Sequence, residues 1–232
     1  TYRDLELAYF AMRRERPEYF WLSNEYSLKQ SGDRRMIRFA ETDKDWLFSA
    51  VERADTEALI RDSIVELYDA IGEGKSEYER ELAVHDAVCE MTEYDQAAAG
   101  DPSLSKSAWN VAGVFDDGSA VCEGYAKAMQ LLCFSVGINC GLITGNAESP
   151  HMWNYVKIGG SWYHVDVTAD DCADTPYMAF FNVTTESISR GRTIDREARD
   201  LTDEQLESGT YNCFVPPCNS TEYNYFAVNG LY

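Results

Sequence analysis

The chain has 232 residues, of which 40 are Asp or Glu and 20 are Lys or Arg, for a formal net charge of −20. That balance leaves no surplus of cations to displace counterions from a nucleic-acid backbone or to adhere to an anionic membrane. Hydrophobic residues at 45% and aromatics at 13% supply a packed core, so extended disorder is not expected.

From the N-terminus, Leu5, Tyr9 and Met12 recur at helical spacing, and Arg16-Pro17 stops that helix. Ser31-Gly32-Asp33 separates two short extended runs, the second from Met36 to Phe39. Ile60, Ile64, Leu67, Tyr68 and Ile71 form an apolar helical face that ends at Gly72 and Gly74. Ser76 and Glu79 have capping-box spacing. The helix they open carries Tyr78, Leu82, His85 and Cys89 on one face, where His85 reads as a core histidine rather than a ligand. Residues 95–107 read as a loop, and Asp116-Asp117-Gly118-Ser119 as a turn. A helix is expected from near Cys122 to Val136, closed by Gly137, and then a buried strand from Cys140 to Thr144. That reading also accounts for the longest charge-free run, Ala128 to Gly145, which Gln130, Ser135 and Asn139 interrupt too often for a membrane span. Two more strands, Met152 to Ile158 and Trp162 to Thr168, flank the tight-hairpin signal Gly159-Gly160. Helices followed by an antiparallel sheet favour an α+β fold over a doubly wound one.

Seven cysteines occur, none in a CxxC pair, so no structural zinc site is expected. An odd count in an exported protein suggests bridges plus one free, reactive thiol. Cys213 and Cys218 are the pair best placed for a local bridge, although spacing does not fix pairing. Cys89 and Cys133 fall within helical patterns and read as buried thiols. The chain starts at Thr1 rather than Met, which reads as a processed or trimmed chain from which any export signal is already gone.

Cys122 stands where a turn enters a helix. Unpaired backbone N–H groups and the helix dipole favour an anion there, which lowers a thiol pKa. A thiolate is the nucleophile that acyl chemistry needs, provided a base lies nearby. The hairpin supplies one. If Gly159 and Gly160 are the loop residues, Ile158 pairs with Ser161 and Trp153 stands opposite Asp166. His151 is then on the same face as Trp153 and diagonal to Asp166, about 7–8 Å away at the backbone. Asp166 would orient His151, and His151 would take the thiol proton. A one-residue change in the loop would put the two side chains on opposite faces. The other face carries Met152, Val156, Ile158, Tyr163, Val165 and Val167 as a core surface, with Asn154 a polar exception. Trp153 and Trp162 are candidates for a substrate groove or for plain packing, and His164 is a reserve candidate for the base.

Val121-Cys122-Glu123-Gly124-Tyr125-Ala126, His151-Met152-Trp153-Asn154 and Trp162-Tyr163-His164-Val165-Asp166-Val167-Thr168 together resemble the transglutaminase-like superfamily, in particular its bacterial, often exported members. The likeness extends to His85-Asp86 and Tyr94-Asp95 upstream and to Phe180-Phe181-Asn182-Val183 downstream, covering about Ser76 to Arg192. It implies a papain-like α+β fold, with a catalytic Cys at the N-terminus of a helix packed on an antiparallel β-sheet. It implies a single domain over 1–232, with a helical extension at 1–75, a catalytic core at 76–192 and a C-terminal extension at 193–232. The implied triad is Cys122, His151 and Asp166, with the Cys122 backbone N–H stabilising the oxyanion. Trp153, Trp109 and Tyr94 are candidates for substrate contact; a second oxyanion donor is not identifiable from the sequence, and Trp109 and Tyr94, the two guesses for it, read rather as structural. No cofactor or metal is called for. The acidic cluster Asp170, Asp171 and Asp174 reads as a solvated loop rather than a cation site.

The expected partner is a protein or peptide substrate, without nucleic acid or membrane insertion, at a secreted or cell-surface location in a bacterium. The expected activity is thiol-dependent acyl transfer on an amide bond, with hydrolysis slightly favoured over cross-linking because water needs no second binding site. The main alternative is a non-catalytic surface module that keeps the fold. A metal hydrolase using His151, His164 and Asp166 ranks below both, since no HExxH-type spacing supports it.

Overall fold

The computed structural model describes residues 2–22, 26–38, 47–171, 177–202 and 211–231. Helix α1 (Tyr2–Glu15) ends ahead of Pro17, which starts a 3₁₀ turn, Pro17–Tyr19. A hairpin follows, β1 (Ser27–Ser31) and β2 (Arg34–Arg38), turning through Gly32 at φ 60°. Phe39, expected to end its second strand, lies outside the described residues. Helices α2 (Ala50–Ile71) and α3 (Glu77–Met91) each open on a reciprocal capping box, Ser49 with Glu52 and Ser76 with Glu79. Tyr68, expected on the apolar face of α2, is half exposed, and its hydroxyl donates to the Ser135 carbonyl.

The expected loop at 95–107 is more ordered than its composition suggests. After the short strand β3 (Glu93–Tyr94), the Asp95 carboxylate accepts from Ala98 N at 2.8 Å and caps α4 (Gln96–Gly100). Asp116 and Asp117 lie in a π-helical turn, Gly113–Asp117, closed by Gly118 at φ 63°. Strand β4 (Ser119–Ala120) then pairs in parallel with β3 and leads into α5 (Cys122–Ser135).

Helix α5 is buried almost throughout, and Gly137 at φ 77° closes it as expected. The main sheet consists of β5 (Asn139–Ala147), β6 (Ser149–Ile158), β7 (Ser161–Val165) and β8 (Thr193–Ile194), in the antiparallel order β7-β6-β5-β8. Both residues of the Gly159-Gly160 loop have positive φ, at 58° and 86°, and Ile158 pairs with Ser161. Strand β7 stops at Val165 instead of Thr168, because Asp166 leaves the sheet to cap the one-turn helix α6 (Val167–Asp170).

One face of the sheet packs on α5 and α3 through Val156, Ile158, Tyr163 and Val165. Asn154, the polar residue on that face, is fully buried and donates to the carbonyls of Ala126 and Gly141, which ties sheet to helix. The opposite face is covered as well. Ile143, Trp153 and Tyr155 pack there against Val183 and the short helix α7 (Thr185–Ile188). Full burial of each such large side chain contributes about 1.5–3 kcal/mol.

Cys133 is fully buried, Cys89 is half-buried, and Cys213 and Cys218 carry free thiols rather than the expected bridge. Cys172 lies outside the described residues. Among the described residues no helix is long and apolar enough to cross a membrane.

Gly145 is where β5 meets β8 at its closest. A Cβ there would sit 1.9 Å from the Thr193 carbonyl oxygen and 2.8 Å from the Trp153 ring. Gly145→Ala is therefore expected to cost about 2 kcal/mol or more by overpacking, a fall of roughly 4–8 °C in thermal midpoint. Gly100→Ala, with nothing within 4 Å of its added methyl, should melt within about a degree or two of wild type. Equal midpoints for the two variants in a thermal scan would refute this account of the β5–β8 contact.

Candidate active site

Cys122 is the first residue of α5, and the preceding Val121 is fully extended at ψ 176° and offers no side-chain cap. Val121 N donates to Ala108 O at 3.0 Å, which holds the chain against the 107–113 segment as it turns into the helix. Gly124 permits that approach, since a Cβ there would lie 2.6 Å from the same carbonyl. The first turn of α5 thus begins with its N–H groups uncapped by the preceding side chain, beside the thiol. Cys122 is 8% exposed and packs with Ala126, Leu142 and Met152.

His151 is in β6, opposite Gly145. Its Nε2 is 2.8 Å from Asp166 Oδ2, and the Cys122 thiol is its other polar neighbour, so Nδ1 is the atom left to face the sulfur. The three side chains singled out from the sequence are brought together. Burial works against a charged imidazole here, but the bonds to Asp166 and Cys122 prevail and raise His151 to about 9.

Asp166 is fully buried. Burial alone would raise its carboxyl, but His151, Arg192 and the Ala169 N–H overrule that and hold it below the usual carboxylate range. Arg192 Nη2 donates to Oδ2 at 2.5 Å, and its guanidinium lies 4.0 Å from the Phe180 ring centre. Asp166 N donates to Phe180 O at 3.2 Å, and Phe180 N donates to Asp170 Oδ1 at 2.8 Å. Asp170 Oδ2 in turn faces His85 Nε2 at 3.3 Å, and His85 Nδ1 faces Asp86 at 3.3 Å. The sequence reading missed Arg192 and Phe180. It took His85 for a core histidine, and His85 is indeed fully buried, but it sits in a carboxylate cage that opposes the burial penalty and raises it to about 9.

His164 is excluded as the base. Its Nδ1 accepts from Trp153 Nε1 at 3.2 Å, so its proton sits on Nε2 and points to Thr185 Oγ1. Burial and the Arg192 charge lower its pKa to about 4, so it is neutral near pH 7. Trp153 is not a groove wall. It is 1% exposed and lies under the His151 ring, 5.9 Å away and inclined by 23°. Tyr94 and Trp109 pack on the cluster Ala98, Ala108 and Val121, and Tyr94 also lies beside Tyr125 in support of α5. Trp109 Nε1 is buried with no partner among the described residues.

Asp170 and Asp171 are not a solvated acidic loop. Asp170 is bound as above and Asp171 accepts from Tyr125 at 2.6 Å, while Asp174 lies outside the described residues. Among the described residues no three His, Cys, Asp or Glu side chains converge to hold a metal ion.

Residues 66–167 match the family model of the Transglutaminase-like superfamily. The chain is 26% identical to the kyphoscoliosis peptidase of Mus musculus over 136 residues, which is 53% of this chain and 20% of that protein. It is 27% identical to the Homo sapiens kyphoscoliosis peptidase over 113 residues, 43% of this chain and 17% of that protein. The matches span about a fifth of the length of these curated relatives. A solved structure of a TGase superposes with a TM-score of 0.45 at 17% identity, covering 71% of this chain and 49% of that one.

The cage around His85 makes a prediction about stability. Its pKa is about 6.5 in an unfolded chain and about 9 when folded. The stabilisation is therefore complete below about pH 6.5 and is lost as pH rises through 9. Chemical denaturation at a series of pH values should show wild type losing stability more steeply between pH 7 and 9.5 than His85→Gln, with the His151 titration common to both. Parallel curves would mean that His85 is uncharged in the folded protein.

Proposed function

Because residues 66–167 match the family model of the transglutaminase-like superfamily, we propose that the chain is a thiol-dependent acyl-transfer enzyme acting on protein or peptide amides. One observation carries this reading. His151 is anchored through Nε2 to a buried, charge-compensated Asp166 and turns its other side to a thiol at an uncapped helix start. That is the nucleophile, base and orienting-group arrangement of covalent acyl transfer.

In this mechanism the thiolate of Cys122 attacks the amide carbonyl carbon. Backbone N–H groups of the first turn of α5 receive the developing oxyanion, and Trp109 Nε1 is the second donor, an N–H that is otherwise without a partner. His151, charged up to about pH 9, gives its proton to the leaving nitrogen as the C–N bond breaks and a thioester forms. His151 then takes a proton from the acceptor that attacks the thioester, and Cys122 is released. Water as acceptor gives a peptidase or amidase, and an amine gives a cross-linking enzyme. Hydrolysis is the slightly favoured outcome, since it asks for no second binding site. A non-catalytic binding module is the second reading, favoured by the low exposure of Cys122 and by the Pro17–Tyr19 turn packed on α5.

Iodoacetamide labelling of the native protein across pH, mapped by peptide mass spectrometry, separates the two readings. An active site predicts fast labelling confined to Cys122 and slower labelling in His151→Ala, since His151 bonds the thiol. Cys89, Cys133, Cys213 and Cys218 are the internal controls, because burial pushes each of their thiols up. Labelling of Cys122 no faster than of these four would favour the binding module.

The donor assigned to Trp109 has its own test. Trp109→Phe should lower kcat by about 10²–10³-fold on any peptide amide the wild type turns over, with KM little changed and the labelling rate of Cys122 intact. A loss of labelling in step with kcat would mean that Trp109 only supports the fold.

A further inference from the structure

A cavity of about 680 Å³ opens between the N-terminal segment and the start of α5. That volume lies within the range of small-ligand and peptide side-chain sites. The triad side chains do not line it, but Trp109 and Glu123, the residue after the nucleophile, do. Its apolar surface comes from Phe20, Leu22, Leu47 and Trp109.

The charge of this cavity runs against that of the molecule. Among the described residues four cations line it, Arg13, Arg16, Lys106 and Lys127, with Glu123 the one acid, in a chain whose acids outnumber its bases two to one. Lys127 is already used, bonded to Glu123 at 2.6 Å and to the Trp109 carbonyl at 3.2 Å. The other three are differently placed. Arg16 is held over the Tyr19 ring at 5.3 Å and Lys106 over the Phe48 ring at 4.7 Å, so aromatic faces fix where both charges stand. Their carboxylate partners, Glu18 and Glu52, are partly to well exposed, and surface pairs of that kind contribute little and exchange readily. Arg13 has no ion pair among the described residues.

We propose that this cavity is the subsite for an acidic stretch of the protein substrate, one that places Asp or Glu side chains against Arg13, Arg16 and Lys106 while a neighbouring amide reaches Cys122. The proposal rests on the acyl-transfer reading and adds the class of substrate to it. A net charge of −20 repels such a peptide at a distance, but that repulsion is screened beyond about 8 Å at physiological ionic strength. Direct contacts with Arg13, Arg16 and Lys106 lie well inside that length, so selection acts at close range.

The test uses the whole chain carrying Cys122→Ala, so that no turnover intervenes, at physiological ionic strength. A fluorescein-labelled peptide with three Glu residues flanking a Gln is titrated and read by anisotropy, against the same peptide with every Glu replaced by Gln. The acidic peptide should bind at least about 10-fold tighter, a difference of 1.4 kcal/mol. Adding Arg13→Ala and Arg16→Ala should remove most of that margin, while Arg190→Ala, an exposed cation elsewhere, should leave it. Unchanged circular dichroism in the double variant certifies its fold. Equal binding of the two peptides, or a margin that survives loss of Arg13 and Arg16, would overturn the proposal. So would displacement of the peptide by inorganic phosphate at equal concentration, which would mark a site for small anions. Cys122 labelling in the wild type is read separately. An inert thiol with intact acidic-peptide binding would sink the enzyme and spare the subsite, and the reverse result would sink the subsite alone.

Discussion

The buried carboxylate of Asp166 is the constraint from which much of this architecture follows. An ionised group removed from water is tolerated only where opposite charge and hydrogen bonds surround it. Here His151 and Arg192 share one oxygen while the Ala169 N–H serves the other. To meet those partners the chain must end β7 at Val165, begin α6 at once, and bring Arg192 back from beyond α7. Phe180 links the parts, accepting from Asp166 N with its carbonyl while its ring lies beneath Arg192. The His85–Asp170 pair then fixes the far end of α6 and the Phe180 N–H together. The orientation of His151 is thus an outcome of tertiary structure on both sides of the sheet.

The same logic makes two histidines of neighbouring strands opposite in character. His151 has a carboxylate on one side and a thiol on the other, and its pKa rises to about 9. His164 lies in a pocket with an indole N–H donor, a threonine hydroxyl and the field of Arg192, and its pKa falls to about 4. Both are strongly buried, so desolvation acts on each and the partners decide. Trp153 connects them, stacked under one ring and donating to the other. Its indole holds His164 in a single tautomer and forms the floor beneath His151, which is why it is buried instead of facing a groove.

The sequence made the hairpin register legible because Gly159-Gly160 allows one tight turn, and Ile158 does pair with Ser161. From that pairing the proximity of His151 and Asp166 followed, even though Asp166 itself lies one residue past the strand. The helix carrying Cys122 was equally plain, bounded by a turn and by Gly137. Alternation along β6 placed Trp153 with His151 but carried no sign that this second face is covered too. The cover comes from residues 180–194, whose short one-turn elements have no periodicity to read. Arg192 was invisible for the same reason: an arginine in an irregular segment has no local pattern that names a partner 26 residues away. Asn212 shows the limit more sharply. Its side chain bonds the backbone N–H and C=O of Thr144 and the carbonyl of Asp195, doing the work of a strand neighbour from a segment without a strand pattern.

The N-terminal segment raises the last structural question, whether it hides the site or helps to build it. A detachable cover would touch the core through a few exposed contacts. Arg14 at the end of α1 is instead 7% exposed, lies 5.3 Å from the Phe10 ring, and has Glu123 and Tyr155 among the groups acting on its charge. Phe10 lies tilted against Tyr211 with ring centres 4.1 Å apart, and α1 itself packs on β5. Stripping this segment would expose Tyr155 on the sheet and remove the wall that presents Arg13, Arg16 and Phe20 to the cavity beside Cys122. Arg14 Nη2 is buried without a hydrogen-bond partner among the described residues, so the ring contacts and the packing of α1 on β5 are what hold the segment to the core. The small exposure of the Cys122 thiol arises within the core, where it packs with Ala126, Leu142 and Met152, while the N-terminal segment walls the cavity that Glu123 lines.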